Sequence, residues 1–375
     1  MQTPRKASEI IAIDILRACA ALGVFFYHNR VGGMAARYSG ISFLRRTDGF
    51  GAIYAVPLFF LISGYCIHAS NVKYLQSNSA LPLKVYFRRR FFRIYPAYLA
   101  ALAIAIGVNM LTRFSSAPSL TDILVHTVAL QSFSVRYFNT INLVLWTITV
   151  EIAFYILYPA FYYLRAKYSL KHAMIFTFVI SAFSIIYFEL QTAITAPERF
   201  CVFNLWFAWC SGAFLADKML ISKISLNKTG YWLAYLFILI GFIYFNYFDG
   251  NHPLLLDQFN ILVWTGPLIY LISKEQWFKK AQTNLFIKIF AAIGLSSYSL
   301  YLLHEPLSAL KNFIVHKYLP AGLQFGGVII GLFMIPTIAW LSYYYIERPF
   351  MSRKPGTSLA GNERQASASQ PELKR

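Results

Sequence analysis

Apolar stretches long enough to cross a bilayer recur along this chain from residue 11 to about residue 346, each separated from the next by a short polar or basic loop. Roughly 18 residues with few charges is the minimum for a helix through the hydrocarbon core. Backbone amides in lipid have no water to bond, so such stretches must satisfy them internally, as helices. The composition agrees, with 58% hydrophobic and only 13% charged residues, more apolar than an ordinary globular domain. The expected fold is all-α: a polytopic transmembrane helical bundle of about ten spans, at 11–28, 52–70, 94–112, 144–163, 172–190, 199–216, 229–248, 258–273, 286–304 and 322–346. The segment 120–134 is apolar but short for a crossing and is expected to be re-entrant or interfacial, with an eleventh span as the alternative. Arg17 interrupts the first window and no small-residue cleavage pattern follows His28, so this window is expected to stay as a helix rather than be removed as a signal peptide.

Charge sets the expected orientation. With the N-terminus in the cytoplasm, that side collects Arg5, Lys6, six basic residues between Lys73 and Arg93, three between Arg165 and Lys171, three between Lys218 and Lys228, Lys274, Lys279, Lys280 and the basic tail. The opposite side holds only Arg30, Arg37, Arg45, Arg46, Arg113, Arg136, Arg199, Lys311 and Lys317. The positive-inside rule therefore predicts both termini in the cytoplasm. Residues 1–350 form one membrane domain in this reading, and 351–375, rich in Ser, Pro, Gly and charge, a disordered cytoplasmic tail.

The net charge of +19 does not point to nucleic acid, because the basic residues sit in loops between spans rather than in a patch interleaved with exposed aromatics. Cys19, Cys66, Cys201 and Cys210 fall in apolar segments without CxxC spacing and read as core residues, so no metal site is expected. Glycine-rich phosphate loops, HExxH and GxSxG are absent.

Three polar clusters interrupt the apolar pattern. Arg17 and His28 are 11 positions apart, three helical turns plus roughly 20°, which puts both on one face about 16 Å apart along the axis. Asp14 falls within roughly 60° of both, so the first span carries a polar stripe. Ionisable groups in a span normally face a bundle interior or an aqueous cavity, but an internal Asp14–Arg17 ion pair with His28 as an end cap satisfies the same pattern. The second cluster is "KVYFRRRFFRIYP", Lys84 to Pro96. A basic run beside a span fixes topology and meets anionic headgroups. Arg90 and Arg93, at i and i+3, could also converge their guanidinium forks on one phosphorylated ligand. The third is Glu151 within "LWTITVEIAFYILYP", a carboxylate that must be protonated or paired, with Arg17, His28 or a substrate hydroxyl as candidate partners. "FFLISGY", with Ser63 and Gly64, would allow close helix approach. "LSSYSLYLLHEP" and "YIERPF" read as packing or cap features.

Taken in order, Arg17 and His28, "LFFLISGY", the RxxR of Arg90 and Arg93, "LWTITVEIAFYILYP", "SYSLYLLHEP" and the final "ERP" resemble the acyltransferase 3 family of integral membrane acyltransferases over about residues 9 to 350. Ile15 stands where the family often has Gly, and Trp146-Thr147-Ile148 where it usually has Trp-Ser-Leu. The resemblance implies a multi-pass protein of the bacterial cytoplasmic (inner) membrane. It would move an acyl group, usually acetyl, from cytoplasmic acyl-CoA to a hydroxyl of a cell-surface or lipid-linked saccharide. Acyl-CoA would be a co-substrate and no cofactor would be bound permanently. Membrane lipids, the donor and a saccharide or glycolipid acceptor would be the partners, and nucleic acid would not. Under this implication Arg17, Arg90 and Arg93 hold the donor, while His28, Arg17 and Glu151 act in catalysis. His28 would serve as general base or as an acyl-histidine carrier. A transporter or flippase of a lipid-linked saccharide or acyl group is the alternative, since polar groups in a bundle also mark transport paths.

Overall fold

The computed structural model describes residues 10–112, 117–222 and 229–351. These residues are mostly helical, with no strand among those described. In chain order they are α1 (Ile11–His28), α2 (Val31–Ser39), a turn at Ser42–Arg46, α3 (Thr47–Ile53), α4 (Ala55–Gln76), α5 (Leu83–Thr112), α6 (Leu120–Thr127), α7 (Trp146–Lys167), α8 (Leu170–Glu189), α9 (Ala196–Arg199), α10 (Val202–Leu220) and α11 (Thr229–Tyr247). There follow α12 (Pro253–Leu262), α13 (Thr265–Ser273), α14 (Glu275–Lys280), α15 (Leu285–Leu295), α16 (Ser297–Tyr318), α17 (Ala321–Ser342), a wide turn at Tyr343–Glu347 and α18 (Arg348–Met351). Among the described residues nine helices or end-to-end helix runs are long and apolar enough to cross a membrane, and ten if α15 and α16 are one broken span. The expected multi-pass bundle is therefore present.

Its details differ from the expectation at 286–304 and before the third span. The stretch 286–304, read as one straight span, is bent by 75° between α15 and α16. The hydroxyl of Ser296 turns back onto the carbonyls of Ala292 and Ile293 at 3.2 and 3.3 Å, so the chain closes α15 there and starts again. "SYSLYLLHEP" thus opens a helix of 22 residues instead of ending a span. The segment 120–134, as expected, does not cross, which sets aside the eleventh span: α6 has eight residues, about 12 Å of helix against a core of about 30 Å. The basic run before the third span is itself helical, since α5 begins at Leu83 and not near residue 94. The tail expected from 351 lies, beyond Met351, outside the described residues, as do Arg5, Lys6, Arg113, Lys223 and Lys228 of the charge argument.

Helix α1 is central, packing on α3, α4, α15 and α16. Two of these contacts need glycine: a Cβ on Gly51 would stand 1.9 Å from the Gly23 carbonyl, and one on Gly294 the same distance from the Asp14 carbonyl. The first backbone amides of α1, at Ile11 and Ala12, donate to the buried carboxylate of Glu275 on α14 at 3.2 and 3.1 Å. An acid so placed at a helix start is worth about 0.3–1 kcal/mol, and it fixes the axial position of α1. Helices α4 and α10 meet as closely as "FFLISGY" suggested, because Gly64 sits on the Trp209 carbonyl and Gly212 on that of Leu61.

Candidate functional site

Helices α1, α4, α5, α7 and α16 enclose a cleft of about 850 Å³, its open mouth included. Arg17, Arg90, Arg93, Ser63, Cys66, Glu151, Tyr155, Thr147, Tyr298 and Tyr301 are among its lining residues. Four of the five expected site residues therefore share one cavity. They come from three helices, and only Arg90 and Arg93 are close in sequence.

Each side chain is held by an identifiable contact. Arg17 reaches the Cys66 sulfur at 3.4 Å and lies 3.5 Å from Asp14 Oδ1, an ion contact without hydrogen-bond geometry. The Asp14–Arg17 pair and the cavity-facing role thus coexist in one guanidinium. Arg90 donates to Ser70 Oγ at 3.3 Å and lies over the rings of Tyr86 and Tyr155 at 5.9 and 5.7 Å, while its buried Nε has no partner. Arg93 is ion-paired with Glu347, whose other oxygen accepts the Ser299 hydroxyl at 2.8 Å. "YIERPF" thereby contributes to the cleft as the counter-charge of α5.

Glu151 is bonded to none of the partners the sequence offered. Ser63 Oγ donates to its Oε1 at 2.6 Å, and Trp209 Nε1 donates to the same Ser63 oxygen at 3.1 Å. The close approach of α4 and α10 brings that indole to Ser63, so the two glycines position the carboxylate from one helix away. "FFLISGY" therefore carries a polar task as well as a packing one.

His28 does not line the cleft. It stands at the far end of α1, partly buried, with no hydrogen-bond partner among the described residues, and its ring centroid is 5.0 Å from that of His304. His304 is fully buried. Its ring is 5.8 Å from Tyr301, which lines the cleft and receives a hydrogen bond from Thr147 Oγ1 at 3.1 Å. Beyond His28, Asn29 donates to Ser308 Oγ at 3.0 Å and accepts from Lys311 Nζ at 2.6 Å. A continuous row, Tyr301, His304 and His28, thus leads from the cleft to the opposite end of the bundle. Sequence reasoning passed over Ser63, Trp209, Tyr301, His304 and Glu347 as functional groups. His304 and Glu347 could have been found as ionisable residues inside apolar helices. Ser63 and Trp209 gave no such signal.

The arrangement combines cations suited to phosphate, a carboxylate anchored by a hydroxyl, and an unbonded imidazole about three turns along α1 from Arg17. Among the described residues no three of His, Cys, Asp and Glu gather as a metal site.

The pattern of a family described as "Acyltransferase domain" matches residues 10–346. O-acetyltransferase OatA of Staphylococcus aureus, in strains NCTC 8325 / PS 47, COL and MRSA252, is 24% identical over 396 residues, an alignment covering 95% of this chain and 58% of the relative. The chain thus spans less than two thirds of the length of these curated relatives. No solved structure matches it.

Proposed function

This chain belongs to the acyltransferase 3 family, and from that premise we propose that it transfers an acyl group, acetyl in the first instance, from acyl-CoA to a hydroxyl of a saccharide at a bacterial cytoplasmic membrane. Both termini face the cytoplasm in this reading, so the arginine-lined cleft opens toward the donor pool and His28 lies toward the outer face. The observation that carries the reading is the convergence of Arg17, Arg90 and Arg93 on the cleft that also holds Glu151, with His28 on the helix that bears Arg17.

Arg90 and Arg93 bind the donor's phosphates, and Arg17 lies deeper, along the path of the pantetheine arm toward His28. Tyr86 and Tyr155 flank Arg90 and restrict its rotamers. Glu151, kept in place by Ser63, supplies negative charge near the thioester end of the path. A sugar hydroxyl is a weak nucleophile at neutral pH, and His28 takes its proton as it attacks the thioester carbonyl. The C–S bond breaks, the C–O ester bond forms, and the proton leaves on the thiol of coenzyme A.

The test is thiol release from acetyl-CoA by purified, detergent-solubilised protein supplied with candidate saccharides, with mass spectrometry of the saccharide for an added acetyl group. Thiol release with an acetylated product supports the reading. Transport of a saccharide across vesicles with no thiol released overturns it.

A further inference from the structure

Resting on the acyl-transfer reading, we infer that His304 is a positioning residue that holds the tautomer and orientation of His28 by accepting a hydrogen bond from it. Two observations carry this. The first is the fixed state of His304. Its Nδ1 lies 2.7 Å from the Tyr301 carbonyl and 3.3 Å from that of Leu300. Carbonyls only accept, so Nδ1 carries the ring's proton, and in the neutral ring Nε2 is a bare acceptor. That Nε2 is buried and has no partner among the described residues. A buried polar atom left unbonded costs about 1–3 kcal/mol, so an empty acceptor in a helical core calls for a donor.

The second observation is where that acceptor sits. The His28 ring is 5.0 Å away, centroid to centroid, and itself has no hydrogen-bond partner among the described residues. Two imidazoles at this separation reach hydrogen-bonding distance by a small rotation of the half-buried ring, since His304 is pinned by its carbonyls. When a His28 N–H points at His304 Nε2, the other His28 nitrogen is left bare and aimed away from the pair, as a base requires. The imidazole pair then has the logic of a base oriented by a second group. The reaction balances without a proton on His304: the hydroxyl proton goes to the bare nitrogen of His28 and leaves on the thiol.

His304→Phe keeps a ring of similar size and removes the acceptor, whereas His304→Gln keeps an acceptor oxygen. The expected result is a kcat about tenfold or more lower in His304→Phe, with donor KM and melting temperature close to wild type, and recovery of most of that loss in His304→Gln. Nitrogen-15 spectra of ring-labelled protein supply a readout independent of turnover: wild type shows a single His28 tautomer and His304→Phe a mixture. Wild-type kcat in a folded His304→Phe, or an unchanged His28 tautomer there, overturns the inference while leaving acyl transfer intact. A wild-type enzyme that acylates nothing fails the functional reading instead, and the spectra then decide the pairing by themselves.

Discussion

Ser63 donates its hydroxyl proton to Glu151 at 2.6 Å while accepting the indole N–H of Trp209, so a carboxylate on α7 is set by a helix pair it does not belong to. Glu151→Gln is expected to lower turnover about tenfold with melting temperature and donor KM little changed, because hydrogen bonds to charged groups are worth about 1.5–3 kcal/mol and an amide supplies no net charge. Steady-state kinetics of the two proteins check this, and full activity in Glu151→Gln reduces the residue to packing.

Of the two cleft arginines on α5, Arg93 has a counter-charge and Arg90 has none among the described residues. Arg93→Ala leaves Glu347 buried and unpaired, a loss of about 3 kcal/mol in stability. Adding Glu347→Gln should restore the melting temperature but not donor affinity. Arg90→Ala should raise the apparent Kd for coenzyme A with less effect on stability. Titration of coenzyme A against the three variants checks both halves, and unchanged affinity in all of them leaves the arginines as topology signals.

His28→Ala should abolish transfer and leave coenzyme A binding close to wild type, since His28 lies outside the cleft. An acetylated His28 caught by rapid quench and peptide mass spectrometry selects the covalent carrier over the general base. Turnover at the wild-type rate removes His28 from either role.

Gly64→Ala should lower the melting temperature in detergent, because its Cβ would fall 2.0 Å from the Trp209 carbonyl and overpacking costs about 1–3 kcal/mol. Activity should fall further than stability alone explains, as the Trp209–Ser63–Glu151 chain loosens. Parallel heat-denaturation and kinetic measurements separate the two effects.

The polar stripe of α1 and the RxxR of α5 were legible because helical periodicity alone puts such residues on a face. Periodicity does not name the neighbour across that face. Arg93 finds Glu347 across 254 positions, and Glu151 finds Ser63 across 88, pairings that only the packed bundle decides. The bend at Ser296 was hidden for a related reason: hydropathy is blind to direction, and apolar residues on both sides of a 75° turn read as one stretch. His304 was in plain view as an ionisable group in an apolar helix, but without α1 beside it nothing separated it from a capping residue.

The Glu275 carboxylate that holds the first amides of α1 has a mechanical meaning. With one end clamped, and with Gly51 of α3 and Gly294 of α15 seated against its backbone at Gly23 and Asp14, α1 is held against sliding and spinning, and the 11 positions between Arg17 and His28 become a ruler about 16 Å long. A single residue inserted between the two would lengthen it by only about 1.5 Å but swing the imidazole by about 100°. The phase of that helix, far more than its length, decides whether a group delivered at one end arrives in front of His28 at the other.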